Sequence, residues 1–414
     1  MTEQAPRKIC IILNEFPVSE EPGLSDQIEL LEQMGHFLHI IVLNKSDGSG
    51  ISRINADIKF LNFSMIRLLQ GLGTLALMHI ITPVNSVKAF YLMLKCLICS
   101  RHRLTVLKNY LQAVLAVNEA IIPLEMTHIH SEAFPETARV AVFASVFSGL
   151  KVSFTVLPMH LYSHKPHETA LLLSRANFIL TLSAYDRKHL CEGVLKNILR
   201  KPAVVSFPPG INLNNFTFNK KINIPREPFK LITVGALKRK KGIHTVLQAL
   251  KLLKERGIRF TYRIIGDGEE KDNLTGLVNR LGLDDSVIFR GNFSRQKTIN
   301  ELRDSDLFVI APEITPDGDR DSIPVAILES MALGVPVVAT GITGITEIIE
   351  DEETGILVPP SDPVKLADAC ESMLRDMETR ELMIVKARLF VEGSCDLLTQ
   401  TRRLSEYLQK NGII

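Results

Sequence analysis

Short β-branched and aliphatic runs alternate along this chain with longer stretches whose apolar positions recur every three or four residues. The first run, Ile9-Cys-Ile-Ile-Leu13, predicts a strand, and a helical pattern over 25–34 follows it. The alternation continues with strands at 38–43, 127–130, 152–155, 178–182 and 203–205. Helices are predicted at 134–147, at 168–175 and from Ala184. After Phe207-Pro-Pro-Gly210-Ile-Asn212 the pattern restarts. Strands at 229–234, 261–265, 287–290, 307–311 and 337–340 then interleave with helices at 243–256, 269–281 and 297–304, one carrying Glu329, and a last helix at about 397–409. Strand–helix alternation predicts parallel sheets covered on both faces, hence an α/β chain. The length of 414 residues exceeds one hydrophobic core. The Pro/Gly stretch at 207–212 is the predicted crossing between two domains, 1–206 and 207–396.

Composition narrows the classes. Apolar residues make up 46% and charged residues 23%, which is ordinary for a globular α/β protein. A net charge of +2 argues against general nucleic-acid binding. The six cysteines are scattered, which fits a reducing compartment better than a disulfide frame. Cys96 and Cys99 form a C-x-x-C in an apolar helical run with no second pair, so packing is expected of them. The start, Met1 to Lys8, is polar and does not read as a signal peptide. The most apolar stretch, 68–81, is bounded by Arg67 and Pro83 and falls short of the roughly 18 residues of a spanning helix. A soluble or peripheral protein is expected.

Charge is unevenly placed. No acidic residue occurs in 58–118, which carries Lys59, Arg67, Lys88, Lys95, Arg101, Arg103 and Lys108 among leucines and aromatics. One reading is attachment to an anionic membrane surface. The other is that the leucines face the core and the lysines face water.

The most informative segment is Asp321-Ser-Ile-Pro-Val-Ala-Ile-Leu-Glu329, followed by Gly334-Val-Pro336 and the strand ending at Thr340. An acid stands eight positions before a glutamate inside an apolar helix. Pro324 suits the first turn, and Ser322 is placed to accept from free backbone N–H groups there. A helix start of this kind suits a phosphate, and Glu329 is placed to accept from two vicinal ribose hydroxyls. The segment resembles the E-x7-E signature of retaining glycosyltransferases of family 4, and Asp317-Gly-Asp-Arg-Asp321 resembles their exopolysaccharide and lipopolysaccharide branch. The resemblance implies the GT-B fold, two doubly wound Rossmann-like domains facing across a cleft, with helix 397–414 packed back on the first.

By the same resemblance Glu329 holds the donor ribose and Asp321 the donor sugar, while the backbone at Ser322, Ile323 and Val325 meets sugar and phosphates. Gly235-Ala-Leu-Lys238-Arg239-Lys240-Lys241-Gly242 resembles the family's G-R-L-x-x-K-K-G loop. That match puts Lys241 in the place of the phosphate-binding lysine and Ala236 in the place of the arginine, with Lys238 or Arg239 as substitutes. Gly266-Asp-Gly268 also matches, and the base is expected near Gly291-Asn292-Phe293. Glu347 reads as a structural cap.

The acceptor half matches less. Phe16-Pro17-Val-Ser-Glu20-Glu21-Pro22-Gly23 resembles the loop F-P-x-x-S-E-T-F, which makes Glu21 and Gly23 acceptor-side candidates. His128 and His130 lie in a segment similar to I-H-A-H, and spacing two puts them on one side of a strand. The active-site histidine of the family falls on Leu157 and its aspartate on His160, leaving His160 as a displaced polar candidate. The expected catalytic set is Asp321, Lys241 and His160, with no metal and no cofactor. The expected donor is a UDP- or GDP-linked sugar, and the expected acceptor a glycan or lipid-linked intermediate of an envelope polysaccharide. A GT-B protein that binds a nucleotide sugar without efficient transfer is the alternative. A dinucleotide oxidoreductase is disfavoured, because Asn14-Glu-Phe-Pro17 lacks G-x-G-x-x-G.

Overall fold

Parallel pairing begins with β1 (Arg7–Leu13) against β2 (His36–Val42), where Ile9, Ile11 and Ile12 oppose Leu38, Ile40 and Ile41. All six side chains are buried, as expected where helices cover both faces of a parallel sheet. The computed structural model describes residues 7–16, 23–44, 54–61, 64–132, 135–163, 166–218 and 226–410. These form two compact units. The first comprises 1–182, 186–207 and 401–414, the second 183–185 and 208–400.

In the first unit β1 and β2 are joined by β3 (Asp57–Phe60), β4 (His128–Glu132), β5 (Lys151–Val156), β6 (Phe178–Thr181) and β7 (Ala203–Ser206). The order is β3-β2-β1-β4-β5-β6-β7, all parallel. β3 was not legible in the sequence. It is a short edge strand, Asp-Ile-Lys-Phe, at the start of the basic stretch, and its pattern is half polar. The helices that follow the strands are α1 (Gly23–Gln33), α5 (Glu136–Ser148), α6 (Pro158–Ser163), α7 (Pro166–Leu173) and α8 (Ala184–His189). The basic stretch folds as α2 (Met65–Ile81), α3 (Pro83–Cys99) and α4 (Arg103–Ala116). Arg139 of α5 ties this insertion down. Its Nε donates to Glu168 at 2.7 Å, and its Nη atoms donate to Asn109 at 3.4 Å and Ser100 at 3.3 Å. A buried charge held by partners in three segments fixes their packing, since an unpartnered guanidinium there would cost several kcal/mol, about 3–5.

Helix α15 (Leu397–Lys410) enters the first unit at residue 401. There Leu408 is buried beside Ile9, Leu24 and Ile28, Tyr407 packs edge-on against Phe178 at 5.3 Å, and Ser405 hydrogen-bonds His36 at 2.8 Å.

The second unit is a six-stranded parallel sheet, β8 (Phe229–Val234), β9 (Phe260–Ile265), β10 (Val287–Gly291), β11 (Leu307–Ile310), β12 (Val337–Thr340) and β13 (Ile356–Val358), in the order β10-β9-β8-β11-β12-β13. Helices α9 (Ile243–Glu255), α10 (Lys271–Leu281), α11 (Arg295–Arg303), α12 (Val325–Leu333), α13 (Pro363–Arg375) and α14 (Met377–Ser394) flank it. α9 shows why such a segment is a helix at this place. Val246, Leu247, Leu250 and Leu253 fall on one face and are all buried, each contributing about 1.5–3 kcal/mol. The strand order reverses between β8 and β11. In open α/β sheets the crevice at the carboxyl ends of two such strands is where ligands bind.

Candidate donor site in the second unit

The loops after β8 and β11 meet at that switch point. Backbone first brings them together: the N–H of Glu313 donates to Lys240 O at 2.9 Å. Gly242 has φ +62°, and a Cβ there would stand 1.6 Å from the carbonyl oxygen of Ala311. Only glycine lets the β8 loop come so close to the end of β11. Gly266, directly after β9, plays the same part toward the β8 loop, where a Cβ would lie 1.9 Å from Gly235 O.

Side chains then zip the loops. Lys241 Nζ lies 2.5 Å from Asp321 Oδ2. Lys240 Nζ lies 3.1 Å from Asp319 and 3.6 Å from Asp321, and Arg239 Nε donates to Glu313 at 2.9 Å. His244 Nε2 is 3.4 Å from the other Glu313 oxygen. Burial pushes the His244 imidazole below its ordinary range, while Glu313 pulls it back. The basic loop therefore does not present an open positive patch, as its sequence suggests. Three of its cations face carboxylates from the β11 loop, because adjacent strands deliver the two loops to one edge. Glu313 and His244 were not singled out in the sequence, and Lys240 and Asp319 only as members of the two runs quoted above. The signal available was their position directly after two predicted strands, β8 and β11, whose pairing only the structure shows.

Asp321 is held through its backbone as well, for Thr343 Oγ1 donates to Asp321 O at 2.8 Å. Helix α12 starts at Val325, and its cap position falls on Pro324, without a side-chain cap bond. That position is two residues beyond Ser322. Ser322 is buried and donates to Ser183 Oγ at 3.0 Å, within the second unit. Ile323 and Gly344 pack at the same spot: a Cβ on Gly344 would meet Ile323 at 2.8 Å and Ser322 Oγ at 3.1 Å. Glu347 does cap, accepting from the N–H of Ala184 at 2.7 Å and of Tyr185 at 2.8 Å, residues that cluster with this unit.

Glu329 sits in α12 and is buried. Its nearest cation is Arg295 at the start of α11, with Nη2 3.6 Å from Glu329 Oε1 and its guanidinium 5.8 Å from the centre of the Phe216 ring. Burial pushes the Glu329 carboxyl above the ordinary range, and Arg295 pulls it partly back. Arg295, which was not predicted, follows β10 by four residues, next to the expected base loop. In that loop Phe293 is half-buried with Lys297 Nζ 3.6 Å from its ring centre. Lys238 joins the site through its backbone, donating to Ala236 O at 2.8 Å and accepting from Lys241 N–H at 3.0 Å. The structure thus brings Gly235, Lys241, Gly266 and Asp321 to one edge. A second cluster, Glu329 with Arg295, lies on the helices that follow the strands of the same edge.

The acceptor-side candidates belong to the first unit. His128 and His130 do share a side of β4: both bond Ser153 Oγ, at 2.7 and 2.8 Å, and His130 also bonds Thr155 at 3.1 Å. His128 is buried against Phe178, and that burial holds its imidazole well below the ordinary range. Gly23 opens α1, whereas Glu21 lies outside the described residues. His160 lies in the short helix α6, with its side chain outside what is described, and Leu157, just before that helix, is buried.

Residues 214–390 match the family model described as glycosyl transferases group 1. WcaL of Salmonella typhimurium, named for colanic acid biosynthesis, is 33% identical over 269 residues, and the match spans 64% of this chain and 64% of that protein. The amylovoran biosynthesis glycosyltransferase AmsK of Erwinia amylovora is 24% identical over 97% of this chain and 99% of its own length. Among solved structures, Anabaena HepE in complex with UDP-glucose superposes with a TM-score of 0.71 at 16% identity, covering 98% of this chain and all of that one. A glycosyltransferase from Rickettsia africae gives 0.71 at 17% identity, covering 98% of both. At such identities the superpositions speak for the fold, which is GT-B, while the match to the glycosyl transferases group 1 model is confined to residues 214–390 of the second unit.

Proposed function

We propose that this chain is a retaining, metal-independent hexosyltransferase that moves a sugar from a nucleotide diphosphate sugar to a glycan or lipid-linked acceptor in envelope or exopolysaccharide synthesis. The observation that carries the reading is the Lys241–Asp321 pair at 2.5 Å at the switch point of a six-stranded parallel sheet. A diphosphate arriving there competes with Asp321 for Lys241. Lys241 then turns to the leaving phosphate, and Asp321 is released to accept from hydroxyls of the donor sugar. The backbone of Ser322, Ile323 and Val325 lies next to both. Glu329 accepts from the ribose, with Arg295 keeping its carboxylate charged. A nucleoside diphosphate is a good leaving group, so holding its developing charge is the main catalytic demand. On the retaining route the leaving phosphate takes the acceptor proton, and a leucine at position 157 is compatible with transfer.

UDP or GDP donors both fit contacts made mainly to phosphates and ribose. Titration calorimetry with UDP- and GDP-sugars tests the reading, with Glu329→Ala as control. Binding that survives this substitution unchanged removes the ribose role. Tight binding with neither transfer nor hydrolysis would favour a donor-binding protein without turnover. The absence of any acid from 58–118, and six free cysteines, support a cytoplasmic protein attached to an anionic membrane face through that region.

A further inference from the structure

Helices α2 and α3 leave an apolar stripe facing outward. In α3 the inner side is spent on the core, with Ala89, Met93 and Cys96 buried and Asn85 donating to Phe147 O at 3.2 Å. The outer side carries Val84, Val87, Tyr91, Leu94 and Ile98, at i, i+3, i+7, i+10 and i+14, between 41% and 81% exposed. In α2, Ile66, Leu69, Leu77 and Ile80 form a second outward stripe, all half or more exposed. The leucine-rich stretch is thus divided: part of it faces the core, and part faces outward. A patch of this size on helices already anchored from behind marks a surface that meets something.

Charge identifies what it meets. Lys88 and Lys95 flank the α3 stripe, and Lys95 Nζ stands 4.6 Å from the centre of the Tyr91 ring. Arg101 and Arg103 follow at the next turn. The acids that border this stretch already have cations: Glu119 is held by Lys59 at 2.9 Å and Arg67 at 2.5 Å, and Glu168, near Cys96, by Arg139 at 2.7 Å. A second copy docking face to face would set these cations against one another. Neither helix is long and apolar enough to cross a membrane. We propose that α2 and α3 lie in the plane of an anionic bilayer, with the outward stripe of α3 below the headgroups and Lys88, Lys95, Arg101 and Arg103 at the lipid phosphates. Lysine stems bend so that their heads stay in the polar layer, and an amphipathic tyrosine suits the same depth. The inference rests on the surface attachment proposed above and adds apolar insertion to it.

Vesicle flotation of the full chain tests it, using phosphatidylcholine alone and mixed with phosphatidylglycerol, at low and high salt. The chain is expected to float with the anionic vesicles and to keep a fraction bound at high salt. Val87→Glu with Ile98→Glu, at exposed positions, removes that salt-resistant fraction by more than tenfold. Lys88→Glu with Lys95→Glu lowers low-salt binding by at least fivefold for each charge. Donor binding, measured by calorimetry, stays unchanged in both variants. Flotation at low salt only, indifferent to Val87 and Ile98, sinks the insertion and leaves charge attachment standing. No flotation at all sinks both, with the donor reading untouched. Self-association in sedimentation equilibrium that Val87→Glu abolishes assigns the stripe to a second copy and overturns the proposal.

Discussion

At the scale of single residues, Glu329 carries two opposed demands. Its carboxyl is raised by burial, so its contribution to stability is full below the ordinary carboxylate value of about 4.3 and is lost as pH rises through the raised one. At neutral pH the fold bears the cost of a buried carboxylate that Arg295, at 3.6 Å, only partly offsets. Glu329→Gln keeps the shape and removes the charge. Its melting temperature at pH 7 is expected to equal or exceed that of the parent, with the gap closing toward pH 4. Its affinity for UDP is expected to fall about 10-fold or more, the worth of hydrogen bonds to a charged group. A lower melting temperature together with unchanged affinity would make Glu329 a structural residue. Asp321 separates binding from chemistry. Asp321→Asn leaves Lys241 without its carboxylate, so UDP is expected to bind as well as before or more tightly. Transfer is expected to fall by about 10²–10³, the usual loss on removing one group that stabilises a transition state. Equilibrium binding and product formation, measured on the same preparation, check the two halves.

At the scale of elements, the donor edge depends on how closely the β8 and β11 loops approach. Gly242→Ala would put a methyl group on Ala311 O and hold alanine at φ +62°, so one loop has to retreat. A loss of about 3 kcal/mol is expected, read as a fall of about 6–12 °C in the melting of a unit of this size. An unchanged transition would show that the loops do not need each other. This scale also shows what the sequence could tell. Strands β8, β11 and β12 were legible because their β-branched runs are buried on both faces and bounded by glycine, proline or acid. Lys241, Asp321 and Glu329 were legible through spacing that matches a family signature. β3 was not, being a half-polar edge of four residues. Arg295 was not, because nothing local tells an arginine at a helix start that it will face a glutamate 34 positions on, in the next helix but one strand. The pairing of Lys240 with Asp319 is set by strand order, which no local pattern prints. The bond from Ser322 to Ser183 was not legible for the same reason, since it joins residues 139 positions apart.

At the scale of the whole molecule, the last helix decides whether the first unit stands. α15 begins beside Ile211 in the second unit and ends in the first, where Leu404, Tyr407 and Leu408 complete the cluster that holds Ile9, Ile11, Leu24, Ile28 and Phe178. Leu408, which is buried, contributes about 1.5–3 kcal/mol, and the partly buried Leu404 and Tyr407 add smaller amounts, together a sizeable share of the roughly 5–15 kcal/mol that a whole domain has in hand. The contribution of Tyr407 is specific, since its ring meets Phe178 at 5.3 Å and Phe207 at 6.1 Å. Ending the chain after Gln400 should therefore unfold the first unit or leave it expanded, while the six-stranded sheet of the second unit keeps its own core. Hydrogen exchange with mass spectrometry reads both at once. Amides of β1, β2 and α1 are expected to lose protection, and those of β8, β11 and α9 to keep it. Tyr407→Ala, a milder change, should raise exchange in the same strands by a smaller factor. Protection of β1 and β2 that survives removal of residues 401–414 would mean that the first unit folds without its terminal helix, and the sheet alone would then have to account for the burial of Ile9 and Ile28.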